Sequence, residues 1–403
     1  MKKKRIDLNN SFVIIVLFFP FIEPSGIEDL SKMMGGIWSY IHLFLFGLKL
    51  FSFIAIFLIT VKRFRTIEKF SWLLILYQSY IIVLTLINEH LSLSRLITAI
   101  SPVFVVLLLE YYIKYGNYNK TIRCLTIMLE ILIIINFITI FLYPNGMYID
   151  DRGWNRNWIL GYKNRHIYYY LLYCGLYWIS ISLTDSKHSK KIYIMLLIML
   201  ISSSLIDSKT TMLTLTVMTF FFVLSKKAAF SRLPSIKFFY IISFIVSILI
   251  VFFSFQNKLT FIIENLADGD ATFSNRTIIW KRASEDFLIS PIVGHGLTSY
   301  TDVFSSWIVS QMHNMYIDIM VVGGIVLLSI FTAIVFICSK RVNLCTMKST
   351  RNTCILVFAG YAILFLTEAR RDVTMLFIFL SLCYFLPELS NEHFKEDSKG
   401  VTV

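Results

Sequence analysis

Long, unalternating apolar runs recur along nearly the whole chain, and they constrain it more than any other feature. Runs of roughly this kind occupy 11–23, 37–61, 70–88, 94–113, 122–143, 165–183, 191–206, 209–224, 236–255, 312–338, 352–369 and 372–387. A helix needs about 20 apolar residues to cross the hydrocarbon core of a bilayer. In lipid, only helices and closed barrels satisfy their own backbone polar groups. Runs this long without period-two alternation are helices. The expected fold is all-α: a polytopic transmembrane bundle of about 12 helices, forming a single integral membrane domain over 1–403. The first, seventh, eighth and last runs are short. Composition agrees. Hydrophobic residues make up 57% of the chain and charged residues 16%, against about 25% charged in soluble domains.

The start, MKKKRIDLNN followed by SFVIIVLFFPFIEP, imitates a signal peptide. It lacks a small-residue cleavage site, and Pro20, Glu23 and Pro24 interrupt its apolar run, so a retained, kinked first helix is expected. The net charge of +13 does not indicate nucleic acid, because the basic residues sit in short loops between the apolar runs. Those loops orient the helices. With the N-terminus inside, the inner segments hold 24 of the 38 lysines and arginines. KRFR (62–65) and KHSKK (187–191) are examples. Both termini are then cytoplasmic. The six cysteines have no metal-ligand spacing and read as structural thiols. Lys49, Glu110 and Glu130 lie within apolar runs and are costly there. Pairing of Lys49 with Glu130, and snorkelling of Glu110 to the inner surface, would relieve that cost.

Two outer segments stand apart. One is 144–164, PNGMYIDDRGWNRNWILGYKN. The other is 256–311, the one long connection in the chain. Long loops in compact proteins are usually functional. In the second, 274–288 is expected to form a helix capped by Ser274. The spacing of Val303, Phe304, Trp307 and Ile308 over 299–310 suits a short amphipathic helix lying in the membrane interface. PIVGHG lies between them.

These outer segments hold Arg152, Arg156, Arg165, Arg276, Lys281, Arg282, Arg370 and Arg371, against the positive-inside trend. Guanidinium groups bind phosphate oxygens in bidentate fashion, and several together at an outer surface suit a pyrophosphate. His313 stands beside Asn314 where the long loop becomes an apolar helix. An imidazole there can act as a base near neutral pH. The nearest approach to an acidic metal site outside is Asp150–Asp151, and no metal or other cofactor is expected.

NRTIIW (275–280), ISPIVGHG (289–296), HNMYI (313–317) and GGIV (323–326) follow one another in that order. The stretch Asn275–Ile325 resembles the signature region of the O-antigen polymerase and O-antigen ligase superfamily. GYKNRH (161–166) is similar to that family's Gly-x-x-Asn segment. SSSLIDSKTTMLTL (202–215) is similar to its Ser-Arg-Thr element, with Lys209 where arginine is usual. The resemblance implies metal-independent, inverting glycosyl transfer from an undecaprenyl-pyrophosphate-linked oligosaccharide. It implies Arg276 and His313 as catalytic residues. Lys209 and Asn314 are the implied substrate-binding residues, and Arg165 and Arg152 join them from the 144–164 loop and its exit without matching a family motif. The family often has an acidic residue shortly before the glycine pair; here Val322 stands nearest, and Asp318, a turn earlier, is the candidate substitute. The function implied is a polysaccharide polymerase for capsule, exopolysaccharide or O-antigen. It would sit in the bacterial cytoplasmic membrane with its active site outside. A chain-length regulator and a flippase of the same pathway are the implied partners. The rival readings are a ligase of the same superfamily, a polysaccharide transporter, and a non-catalytic scaffold.

Overall fold

A computed structural model describes residues 8–88, 92–149, 155–183, 190–225, 233–253, 272–297, 312–369 and 374–390. Arg152, Asp150–Asp151, Arg370, Arg371 and the 299–310 segment lie outside the described residues.

The chain is an all-α polytopic membrane bundle. Its first helix, α1 (Ser11–Ile22), carries Pro20 and stops at Glu23. The chain then turns by 69° into α2 (Gly26–Met34), so the interruption read at Pro20–Pro24 is a sharp elbow. There follow α3 (Ile37–Val61), α4 (Lys69–Asn88), α5 (Leu93–Tyr115) and α6 (Tyr118–Leu142). Next come α7 (His166–Leu183), α8 (Lys191–Leu205), α9 (Lys209–Ser225) and α10 (Ile236–Phe253). The series closes with α11 (Thr272–Ile289), α12 (Met315–Asn343), α13 (Lys348–Thr367) and α14 (Thr374–Tyr384). Seven of the described helices are long and apolar enough to cross a membrane, and the α1–α2 pair makes an eighth. The apolar helices α8, α9 and α14 are shorter.

Burial sorts these helices into centre and rim. Every residue from Ile167 to Ile179 on α7 is buried, as is every residue from Met375 to Tyr384 on α14. On α3, the spanning stretch is only 22% buried, and Phe44, Phe51, Ile54, Phe57 and Leu58 point outward. A helix apolar all round with one face unpacked is a lipid-facing helix.

Contacts also sort the two ends. At one end Lys114 pairs with Glu68 (2.7 Å) and Glu110 (2.9 Å), Tyr384 donates to Glu68, and Arg341 pairs with Glu388. At the other, the start of α7, the α8–α9 turn, α11 and the start of α12 meet the end of α13.

Three expectations are corrected here. Lys49 pairs with Glu23 (2.6 Å), whereas Glu130 pairs with Lys191 (2.7 Å). The two residues sit in helices that do not bring them together. Glu110 does not snorkel out. It is buried and accepts from the Ser71 hydroxyl (2.5 Å), the Glu68 amide (2.9 Å) and Lys114. The 144–164 segment is partly sheet: Tyr148–Ile149, Arg156–Trp158 and Gly161–Tyr162 form three short antiparallel strands. The sheet's last turn holds the α1–α2 elbow, with the Gly26 amide on Ile159 O (3.0 Å) and Ser25 Oγ on Leu160 O (2.5 Å).

One break in regular structure positions the site. Gly324 interrupts α12 with φ 61°, ψ −162°. In an unbroken helix the Ile325 and Val326 amides would donate to the Val321 and Val322 carbonyls. Here all four groups turn to the 291–296 loop. Ile325 donates to Pro291 O (2.9 Å) and Val326 to Ile292 O (3.3 Å), while Val321 O and Val322 O accept from His295 (3.0 Å) and Gly296 (2.8 Å). Non-helical backbone inside a membrane protein persists only where its polar groups are met like this. The loop is pinned from α4 as well. Tyr80 Oη donates to Val293 O, the Leu297 amide to Thr85 Oγ1, and Asn88 Nδ2 to His295 O.

Candidate active site

The site begins at the first turn of α12. Asn314 is its N-cap, in extended conformation, and Oδ1 accepts from the Tyr316 (3.1 Å) and Ile317 (3.3 Å) amides. Such a cap satisfies amides the helix cannot. The same oxygen accepts from Ser247 Oγ on α10 (2.9 Å), and Nδ2 donates to Leu366 O on α13 (3.4 Å). Asn314 is fully buried. Its side chain ties three helices together and is committed to the protein's own groups.

That anchoring fixes His313, which adopts φ 50°, a left-handed conformation that costs a non-glycine residue about 1–3 kcal/mol. The turn aims the ring at the end of α13. Nδ1 lies 3.9 Å from Glu368 Oε2, and the side chain remains 30% exposed. At that distance no hydrogen bond exists, and Nδ1 is buried with no hydrogen-bond partner. Desolvation, and secondarily the Arg276 charge, pulls the imidazole pKa down to about 4. At neutral pH the ring is therefore uncharged and able to take a proton.

Glu368 caps α13 and is almost wholly buried. Its Oε1 accepts from Asn164 Nδ2 (2.7 Å) and lies 3.5 Å from Arg276 Nη2. A buried carboxylate persists only when paired and hydrogen-bonded, and here the partners come from the start of α7 and from α11. Arg276 is held by its own helix. One turn on, Trp280 is buried and its indole donates to Met312 O (3.0 Å). This stitches α11 to the residue before His313. Trp280, Ala283, Met312, Ile317, Val321 and Ala369 form an apolar floor beneath.

The α8–α9 turn closes another side. Asp207 has φ 51°, and its carbonyl accepts from Lys163 Nζ (2.9 Å). Ser208 donates to Asn164 Oδ1 (3.3 Å). Lys209 follows as the exposed first residue of α9. Arg165, in the turn that leads into α7, lies 3.5 Å from Asp29 on α2. The described contacts thus bring Arg276, His313, Asn164 and the Lys209 turn around Glu368.

The carboxylate facing His313 comes from α13. Asp318, the sequence-based candidate, is buried one turn down α12. Sequence reasoning missed Glu368 as a site residue, and it singled out the segment holding Asn164 without giving that asparagine a role. The signal for Glu368 was present: an ionisable residue at the end of an apolar run is a functional candidate by default.

Residues 194–332 match the O-antigen ligase family. The match supports the O-antigen ligase and polymerase superfamily, and with it a membrane glycosyltransferase of that type. The family segment carries Lys209, Arg276, His313 and the broken part of α12, whereas Asn164 and Glu368 fall outside it. No curated protein matches the chain.

Proposed function

We propose that the protein is a polysaccharide polymerase that joins undecaprenyl-pyrophosphate-linked repeat units at the outer face of the bacterial cytoplasmic membrane. The observation that carries this reading is His313, an uncharged imidazole held beside Arg276 and Glu368 at the one end of the bundle where the motif segments converge. Nδ1 faces Glu368, so a proton on Nδ1 leaves Nε2 as the accepting nitrogen. The acceptor hydroxyl oxygen attacks the anomeric carbon of the donor, and its proton passes to Nε2. The bond from that carbon to the phosphate oxygen breaks, and lipid pyrophosphate leaves with the electron pair. Arg276 and Lys209 are cations that can meet the charge developing on it. The imidazolium formed is then stabilised by Glu368. With both termini cytoplasmic, as the lysine and arginine distribution suggests, this end of the bundle faces outward. Arg165 and Arg152 remain proposed donor contacts from the neighbouring loop. The chain would act as one integral membrane domain, with a chain-length regulator and a flippase as pathway partners.

The family description favours a second reading, transfer of the finished glycan to a different acceptor. Membranes containing the protein, given the lipid-linked repeat unit alone, decide between them. A ladder of lengthened products supports the polymerase. Product formed only when a lipid A core or protein acceptor is added supports the ligase. Intact substrate in both arms sinks the glycosyltransferase reading.

Glu368 acts here as a positioning residue. Glu368→Gln keeps an acceptor for Asn164 but loses the charge. Turnover should fall about tenfold, the worth of one charge-assisted contact. The acid limb of kcat should also move to lower pH, because the imidazolium loses its neighbouring carboxylate. A purely structural residue would change protein yield without moving that limb.

A further inference from the structure

At the opposite end of the bundle, a cavity of about 590 Å³ is lined by Val61, Lys62, Arg63, Phe64, Arg65, Thr66 and Tyr115. We propose that it holds the headgroup of an anionic phospholipid.

Charge is the first argument. Lys62, Arg63 and Arg65 are exposed, and none has an acidic partner among the described residues. The neighbouring acids Glu68 and Glu110 are both engaged by Lys114, at 2.7 and 2.9 Å. Cations at the end of a span orient it, and one at a helix C-terminus favours the dipole. Neither effect calls for three of them around a concave space. The second argument is order. Arg63 stacks 3.7 Å over the Tyr115 ring, and Tyr115 donates to Thr66 Oγ1 (3.0 Å). Phe64 packs edge-on against Trp72. The guanidinium is thus fixed before any ligand arrives, which lowers the entropic cost of binding. The third argument is continuity. Ile54, Phe57, Leu58 and Val61 form the exposed apolar side of α3 leading into the cavity. A diacyl lipid would lay its chains on that stripe and its phosphodiester among the cations. An acidic protein partner would find charge there but would have to cover the apolar stripe as well.

The experiment uses the full-length protein in detergent, with native mass spectrometry and thermal unfolding as readouts. In an equimolar mixture of dioleoyl phosphatidylglycerol and phosphatidylcholine, phosphatidylglycerol should be retained at least about fivefold over phosphatidylcholine, and it alone should raise the unfolding midpoint. Lys62→Gln/Arg65→Gln, each cation being worth roughly fivefold, should erase that preference and keep the lipid-free midpoint. Lys340→Gln/Lys348→Gln, which removes the same charge elsewhere at this end, should retain it. Equal retention of the two lipids, survival of the preference in the first variant, loss of it in the second, or an equal midpoint gain from inorganic phosphate would each overturn the proposal.

Discussion

His313→Ala should abolish measurable chain growth, a loss of about 10²-fold or more, since general base catalysis contributes 10²–10⁴-fold. The variant should still fold. The side chain has no hydrogen bond to lose at Nδ1, and alanine removes a ring that lies 30% exposed. Products resolved on a gel, from membranes matched for protein content, give the rate. A ladder at wild-type length and rate would remove His313 from the chemistry while leaving the polymerase reading intact. The pH profile adds a sharper test. The pKa of about 4 is depressed from the ordinary histidine value, so the competent neutral form exists above about pH 4 and is lost as pH falls through it. The acid limb of kcat/KM, which reports the free enzyme, should lie near there. A bound pyrophosphate adds negative charge beside the ring and raises its pKa. The limb of kcat should therefore sit at higher pH than that of kcat/KM. Stability carries the same sign. Between about pH 6.5 and 4 the unfolded chain binds the proton that folded His313 refuses. Stability is complete above that window and declines as pH falls across it, and His313→Gln should flatten the decline.

The parts of this architecture that depend on depth in the bilayer were legible in the sequence. Apolar run length located the helices to within a few residues, and the 274–288 helix appears as Thr272–Ile289, with Ser274 inside it and not at its cap. Order along the chain, with the resemblance, brought Arg276 and His313 forward as a pair, and both face Glu368. What depends on which helices are neighbours was not legible. Lys49 and Glu130 share an apolar setting, yet each finds a partner on a different element. The acid for His313 was sought a turn away on its own helix, because sequence offers proximity only along one chain segment. Glu368, at the end of α13, instead places a carboxylate oxygen 3.9 Å from Nδ1. Asn314 shows the converse. The resemblance implied a substrate contact there; its place just before a helix gives it the cap, which uses its acceptor.

Gly324→Val should remove nearly all folded protein from the membrane, and Gly324→Ala should follow it less severely. The backbone at 324, φ 61° and ψ −162°, belongs to a region open essentially to glycine alone. A Cβ there would also run into the carbonyl of Ile292, one of the two that receive the amides freed by the break. The side chain cannot be relieved by a rotamer change, because the obstacle is backbone on both sides. On the loop side, a Cβ on Gly294 would lie 2.5 Å from the Gly323 amide nitrogen. Displacing the loop strands four backbone groups at once, and each such group costs about 1–3 kcal/mol when buried. The total, about 4–12 kcal/mol, reaches or passes the 4–5 kcal/mol that marks an exceptional point mutation. Yield of monodisperse protein after detergent extraction should drop at least about tenfold, whereas Gly47→Val, on α3 with nothing within 4 Å of its Cβ, should leave it unchanged. Equal yields from the two variants would mean that the break is not what holds α12. The consequence for chemistry follows from the connection. The 291–297 loop leaves the end of α11, which carries Arg276, and locks into the helix that carries His313. The break therefore sets the spacing of the cation and the base, and any Gly324→Ala protein that does fold should show the two uncoupled as a lower kcat.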